Sequence, residues 1–162
     1  VDLSDARDSN VLISQFPTDK DLTDTEIAIS SALKHLSSHI TVVSGGGDRF
    51  DHVLGMVHSL ASCAGTVNTT LLIGTARVSY VSYTREFQLD TQPREIVSLI
   101  PIGGDMTITT TGLQWELNND TLQSFASRGV SNIATGASVS ISVTNGCLAI
   151  IEPFFLNPGD IS

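Results

Sequence analysis

Three aspartates fall within six positions of the stretch "QFPTDKDLTDTEIAI", at Asp19, Asp21 and Asp24, and Glu26 follows two residues later. Oxygen ligands crowded onto a short turn suit Mg²⁺, which takes one or two carboxylates and completes its shell with water and substrate phosphate. Part of the cluster has a plainer use. "TDTE" is a capping box, with Thr23 at the N-cap and Glu26 three positions into the helix, and acids in a first turn favour the helix dipole. Capping accounts for Thr23, Asp24 and Glu26. It leaves Asp19 and Asp21 over.

A second cluster is "SGGGDRFDH", residues 44–52. Gly45, Gly46 and Gly47 let the backbone approach a ligand closely. The helix that opens after them offers free N–H groups to a phosphate, and Arg49 adds a forked donor for the same group. Asp51 and His52 fall in the first turn of that helix. The spacing is neither the dinucleotide fingerprint nor the Walker loop, whose glycine and Lys-Ser/Thr positions are missing. The plainer alternatives are a helix-start charge for Asp51 and a capping or packing role for His52. His35, His39 and His58 share no ligand spacing and are expected at the surface or at helix ends.

The elements that must hold these clusters follow from periodicity. "NVLISQF" (10–16) predicts a strand ended by Pro17. Ile29, Leu33 and Leu36 recur at helical spacing after the capping box. "HITVVSGGG" (39–47) predicts a second strand. A second helix is predicted over 48–63, with Val53, Val57, Leu60 and Ala64 on one stripe, and "TTLLIG" and "RVSYVS" are strand-like. Strand–helix–strand–helix order favours a mostly parallel sheet. Both clusters then lie at strand carboxyl ends, where open sheets of this kind bind ligands. Near residue 84 the rhythm changes to short Thr-, Ser-, Val- and Ile-rich runs: "EIVSLIPI", "MTITTTG", "LQWEL", "SVSISVTNG" and "CLAIIE". Residues 138–151 read as a hairpin turning at Asn145–Gly146. The expectation is an α/β domain over 1–84, with a partial parallel sheet, followed by a small β-sandwich over 85–162 that buries the lone Trp115 in its core.

Composition narrows the function classes. The 162 residues suffice for one ordinary domain or two small ones. Seventeen acids against eight bases give a net charge of −9, which argues against nucleic acid as a partner. No apolar run reaches the length of a membrane span, and no leader is visible. Cys63 and Cys147 have no metal or redox spacing and read as small buried hydrophobes in a reducing compartment, so the cytoplasm is the expected location.

"DKDLTDTE" followed by "GGGDRFDH", and then "TTTGLQWELNNDTL" with "SRGVSN", resemble the thiamine pyrophosphokinase family, in the same order and over nearly the whole chain. The resemblance implies a nucleotide-binding α/β domain and a β-sandwich. It implies a homodimer whose sites lie between one subunit's first domain and the partner's second. It further implies transfer of a pyrophosphoryl group from ATP, with Mg²⁺, to the hydroxyl of thiamine, giving thiamine diphosphate and AMP. On this likeness Asp19, Asp21 and Asp24 meet the metal, and Asp24, beside Thr23 on the thiamine side, orients the hydroxyl or takes its proton. Asp21, Arg49 and Asp51 belong to the catalytic set, and Gly45, Gly46, Gly47 and Arg49 hold the phosphates of ATP. Ser131 and Asn132 line the thiamine pocket. Trp115 has a second reading here, as a stacking partner for a thiamine ring, and Arg128 reaches a phosphate or sits on a loop. The family's earlier Gly-Asp-Phe-Asp-Ser motif and first strand have no counterpart, so the expectation is a kinase lacking its first quarter and inactive by itself. The alternatives are another Mg²⁺-dependent phosphotransferase, or a non-catalytic thiamine-binding or regulatory module.

Overall fold

The computed structural model describes residues 16–17, 19, 21–47, 49–83 and 86–156. Of the strand expected at 10–16 only Phe16 lies among them. The elements run α1 (Asp24–Lys34), β1 (His39–Ser44), α2 (Phe50–Cys63), β2 (Asn68–Ile73) and β3 (Ala76–Ser82). They continue with β4 (Glu86–Asp90), β5 (Ile96–Ile102), β6 (Met106–Thr111), β7 (Asp120–Leu122), β8 (Asn132–Ile133), β9 (Ser138–Val143) and β10 (Cys147–Glu152).

The capping box is fully formed. Thr23 N and Oγ1 donate to Glu26 Oε2 at 2.8 and 2.9 Å, and Glu26 N donates to Thr23 Oγ1 at 3.2 Å. At the other end His35 closes α1, its Nδ1 bonded to Ser31 O at 2.8 Å. The expected apolar stripe stops short there. Ile29 is buried, but Leu36 lies past the helix in the left-handed region, at φ 55°, and is 90% exposed. α2 turns Leu60, Ala61 and Cys63 into the core.

Six strands form one sheet in the order β1-β2-β3-β10-β5-β8, and β4-β9-β6-β7 form a second. Among the described residues the parallel character is confined to β1 and β2, which pair Ile40 with Thr69 and Val42 with Leu71. Every other pairing in the larger sheet is antiparallel. The reason is local. β2 and β3 are joined by Gly74, at φ 54°, and Thr75, so the chain reverses in a tight turn and no crossover helix is interposed.

The larger sheet is buried on both faces. On β3, Val78 and Tyr80 join the core under α1 and α2, while Val81 joins the core against the four-stranded sheet. On β10, Leu148 and Ile150 face the second sheet and Ala149 the helices. The result is helices, sheet, sheet, with a core in each gap, and strands buried on both faces read as continuous apolar runs such as "CLAII". The larger sheet also crosses residue 84: β1, β2 and β3 precede it, and β5, β8 and β10 follow. Arg77 on β3 donates from Nη2 to the buried Glu152 on β10 at 2.8 Å, and its guanidinium lies 3.8 Å over the ring of Phe155.

Two expectations fail in the second half. β9 and β10 are consecutive but are not a hairpin, because they belong to different sheets. Val139, Ile141 and Val143 of β9 face Leu148 and Ile150 of β10 across the sandwich core, so the chain arches from one sheet to the other. Asn145 serves the neighbouring turn instead, accepting from Thr107 N at 3.0 Å and donating to Asp105 O at 3.2 Å. "LQWEL" is not a strand. Residues 113–117 form a loop pinned at its ends, by an isolated bridge between Leu113 and Ala134 and by Thr110 N donating to Leu117 O at 2.8 Å.

Candidate active site

The parallel pair ends at Ser44 and Ile73, joined just beyond by Gly74 N donating to Ser44 O at 3.2 Å. From this carboxyl edge the chain leaves β1 through Gly45, Gly46 and Gly47. Gly46 and Gly47 hold φ of 89° and 80°, a region open to glycine. An added Cβ would meet nothing closer than Ile73 Cγ1, 3.9 Å from that of Gly46, so conformation and not crowding selects the residue type. Gly46 N is taken by Ser44 Oγ at 3.3 Å.

α2 opens immediately after this turn, and its N-cap, Arg49, makes no side-chain cap. The contrast with α1 is chemical. In α1 the N–H of Glu26 is met by the Thr23 hydroxyl, while the N-cap side chain of α2, behind a glycine turn, meets none of the helix's first N–H groups. That is the anion-accepting pattern. Arg49 stands there with Nε and Nη2 on Asp51 Oδ1 and Oδ2 at 2.9 and 2.6 Å. The guanidinium holds the Asp51 carboxyl well below the usual carboxylate range, and Asp51 in turn raises Arg49. Both side chains are about two-thirds exposed, 68% and 63%, so water screens the pair and its remaining donors can turn to a phosphate.

In the acidic turn Asp19, Asp21 and Asp24 are all exposed, with Asp24 the first residue of α1. Glu26 is spent on the cap, and Thr23 holds its carboxyl below the ordinary value. Among the described residues no three His, Cys, Asp or Glu side chains gather into a group able to hold a metal ion. The donor set nevertheless fits Mg²⁺ in its usual protein mode, in which one or two carboxylates suffice and phosphate and water supply the rest. Of the three aspartates expected at a metal, Asp19 and Asp21 are the two that capping does not explain.

The sandwich motif is built differently from what its sequence suggests. Gly129 lies so close to β5 that an added Cβ would stand 2.1 Å from Leu99 O, and its own carbonyl accepts Leu99 N at 2.8 Å. Arg128 pairs with Asp120 at 3.1 Å, tying the loop to β7. Ser131 is exposed, in the left-handed region at φ 59°, with its N–H on Ser98 Oγ at 2.9 Å. Asn132 is buried, 6% exposed, and its amide is engaged by the backbone of Trp115. Trp115 is 57% exposed, which corrects the expectation that it fills the core. Its flanks Gln114 and Glu116 alternate with the buried Leu113 and Leu117, the pattern of a strand that would turn all three apolar residues inward, so the sequence carries no signal for the exposure of the ring. The contact from Asn132 to Trp115 spans 17 positions and has no local signal.

The fold and the sequence are both similar to known proteins. Residues 2–72 match the family model "Thiamin pyrophosphokinase, catalytic domain", and residues 84–148 match "Thiamin pyrophosphokinase, vitamin B1 binding domain". The thiamine pyrophosphokinase of Bacillus subtilis is similar at 25% identity and TM-score 0.75, over 82% of this chain and 63% of that one. That of Geobacillus thermodenitrificans is similar at 24% identity and TM-score 0.74, over 92% and 68%. The Candida albicans protein, at 13% identity and TM-score 0.62 over 78% and 50%, shares the fold. The chain thus spans roughly two-thirds of its bacterial relatives, 63% and 68%. No curated protein sequence matches it.

Proposed function

Because the chain belongs to the thiamine pyrophosphokinase family, we propose that it contributes to ATP-dependent transfer of a pyrophosphoryl group to thiamine. The observation that carries this is the start of α2: uncapped N–H groups behind a glycine turn, with Arg49 beside them, at the carboxyl edge of the parallel pair. That edge accepts a polyphosphate. Gly45–Gly47 and Arg49 hold its oxygens, and Asp51 keeps the guanidinium oriented through two hydrogen bonds. Mg²⁺, held by Asp19 and Asp21, would neutralise the phosphate charge.

In the transfer the thiamine hydroxyl oxygen forms a bond to the β-phosphorus. The bond between that phosphorus and the bridging oxygen to the α-phosphorus breaks, and AMP leaves with the bridging oxygen. Asp24 takes the hydroxyl proton or orients it, with Thr23 beside it. Thiamine itself rests on the sandwich. Ser131 offers an exposed hydroxyl, and Trp115 an exposed ring face to a cationic, aromatic ligand. These residues sit on the sandwich while the acidic turn precedes α1, so a homodimer with sites shared between subunits is part of the reading, as is a domain boundary near residue 84. So is a cytoplasmic location, where Cys63 and Cys147 stay reduced.

The test is AMP release from ATP, Mg²⁺ and thiamine. Asp24→Asn is expected to lower turnover by about 10²-fold or more, with the fold intact by circular dichroism. Near wild-type turnover in that variant would remove Asp24 from the site.

A further inference from the structure

We propose that Asn132 is a positioning residue that fixes the backbone from which the ring of Trp115 projects, and not a side chain that touches substrate. The proposal takes its ligand from the thiamine reading above, and its geometry from this chain alone.

Asn132 Oδ1 accepts from Trp115 N at 3.1 Å and from Ile133 N at 2.9 Å, while Nδ2 donates to Trp115 O at 2.8 Å. Both lone pairs of the amide oxygen and one of the two amide hydrogens are therefore used. The residue is 6% exposed, so the one remaining hydrogen faces protein rather than a ligand. An amide in this state has little left to offer a substrate.

What it does instead follows from register. Leu113 bridges Ala134, and Gln114 N donates to Ile133 O at 2.8 Å, so the two segments run antiparallel with Trp115 opposite Asn132. The backbone of Asn132 is already committed on its other side, where it pairs with Val97 of β5. Its side-chain amide stands in for a peptide group and makes the next rung of the ladder. Both polar backbone atoms of Trp115 are held by that one amide. The neighbouring loop residues are pinned as well, Gly112 N by Glu116 Oε1 at 2.8 Å and Leu117 N by Thr110 Oγ1 at 2.9 Å. A large ring left 57% exposed on so restrained a backbone has its point of attachment set before any ligand arrives, which lowers the ordering cost of stacking on it.

Trp115 is the only tryptophan in the sequence, so its emission reports on this position alone. Asn132→Ala is expected to lower the anisotropy of that emission and raise its quenching by acrylamide in the free protein; unchanged values would overturn the proposal. Thiamine binding is then measured by calorimetry in the wild type, Asn132→Ala, Trp115→Ala and the double variant. Asn132→Ala is expected to weaken binding about 10-fold, the scale of one lost stacking contact, and to add no further loss once Trp115 is gone. Losses that add would mean that Asn132 meets the ligand directly and would overturn the proposal. If Asn132→Ala does not fold, Asn132→Asp takes its place, keeping the acceptors and losing the donor to Trp115 O. If the wild type binds no thiamine, the functional reading fails, and the anisotropy and quenching still decide what Asn132 does.

Discussion

Arg49 grips Asp51 through two nitrogens, at 2.9 and 2.6 Å, in full view of solvent. The pair fixes a charge where a polyphosphate would arrive, and its ionisation is measurable in the free protein. Asp51 is expected to stay ionised well below the ordinary carboxylate midpoint, and Arg49→Ala is expected to bring its titration up toward about 3.9, read by carboxyl-carbon NMR. The sign for stability follows. A carboxyl depressed by folding contributes above its unfolded midpoint, and that contribution fades as pH falls through the folded one. At this scale the sequence was informative wherever chemistry depends on neighbours along the chain. The capping box, the glycine turn and the start of α2 at Arg49–Asp51 all lie within a few residues of the atoms they bind. Trp115 and Asn132 were not legible, because the exposure of one and the orientation of the other are set by pairing between segments 17 positions apart.

Among the elements, the loop that carries "SRGVSN" is seated by contact with β5, and Gly129 is the point of closest approach. A methyl group there would meet Leu99 O at 2.1 Å. Gly129→Ala is therefore expected to destabilise the protein by about 1–3 kcal/mol or more, measured by urea unfolding. Gly103→Ala would be a poor control because of its positive φ of 84°, whereas Gly136→Ala, with open space around it and no such φ, is expected to be near neutral. The failed hairpin at 138–151 belongs to this scale too. An Asn-Gly dipeptide between two alternating runs signals a turn, and a turn is present, but alternation is the same whether two strands pair edge to edge or pack face to face. Only the apolar sides of β9 and β10, turned toward each other across one core, distinguish the two cases.

For the whole molecule, the change from helical to β rhythm correctly announced an α/β region followed by a sandwich, because burial periodicity is local. How the two join was not announced. The larger sheet runs through both, and β3 hydrogen-bonds β10 from Arg77 opposite Glu152 to Ser82 opposite Cys147. If the sites are shared between subunits, light scattering at micromolar protein is expected to give twice the 17.2 kDa of one chain. A mass of one chain at every concentration would count against the shared site.

The position of β10 also has a consequence in time. It follows every strand it joins, yet it lies between β3 and β5 and lends one face to each core. A ribosome releases residues in order, so β3 and β5 emerge as bare edges facing an empty slot, and neither core closes until Cys147–Glu152 has been made. During that interval the nascent chain offers two unsatisfied strands of the kind that recruit other chains. The run β1-β2-β3 needs nothing from β10 to pair within itself, so the step that waits for β10 is the join of that run to β5 and β8.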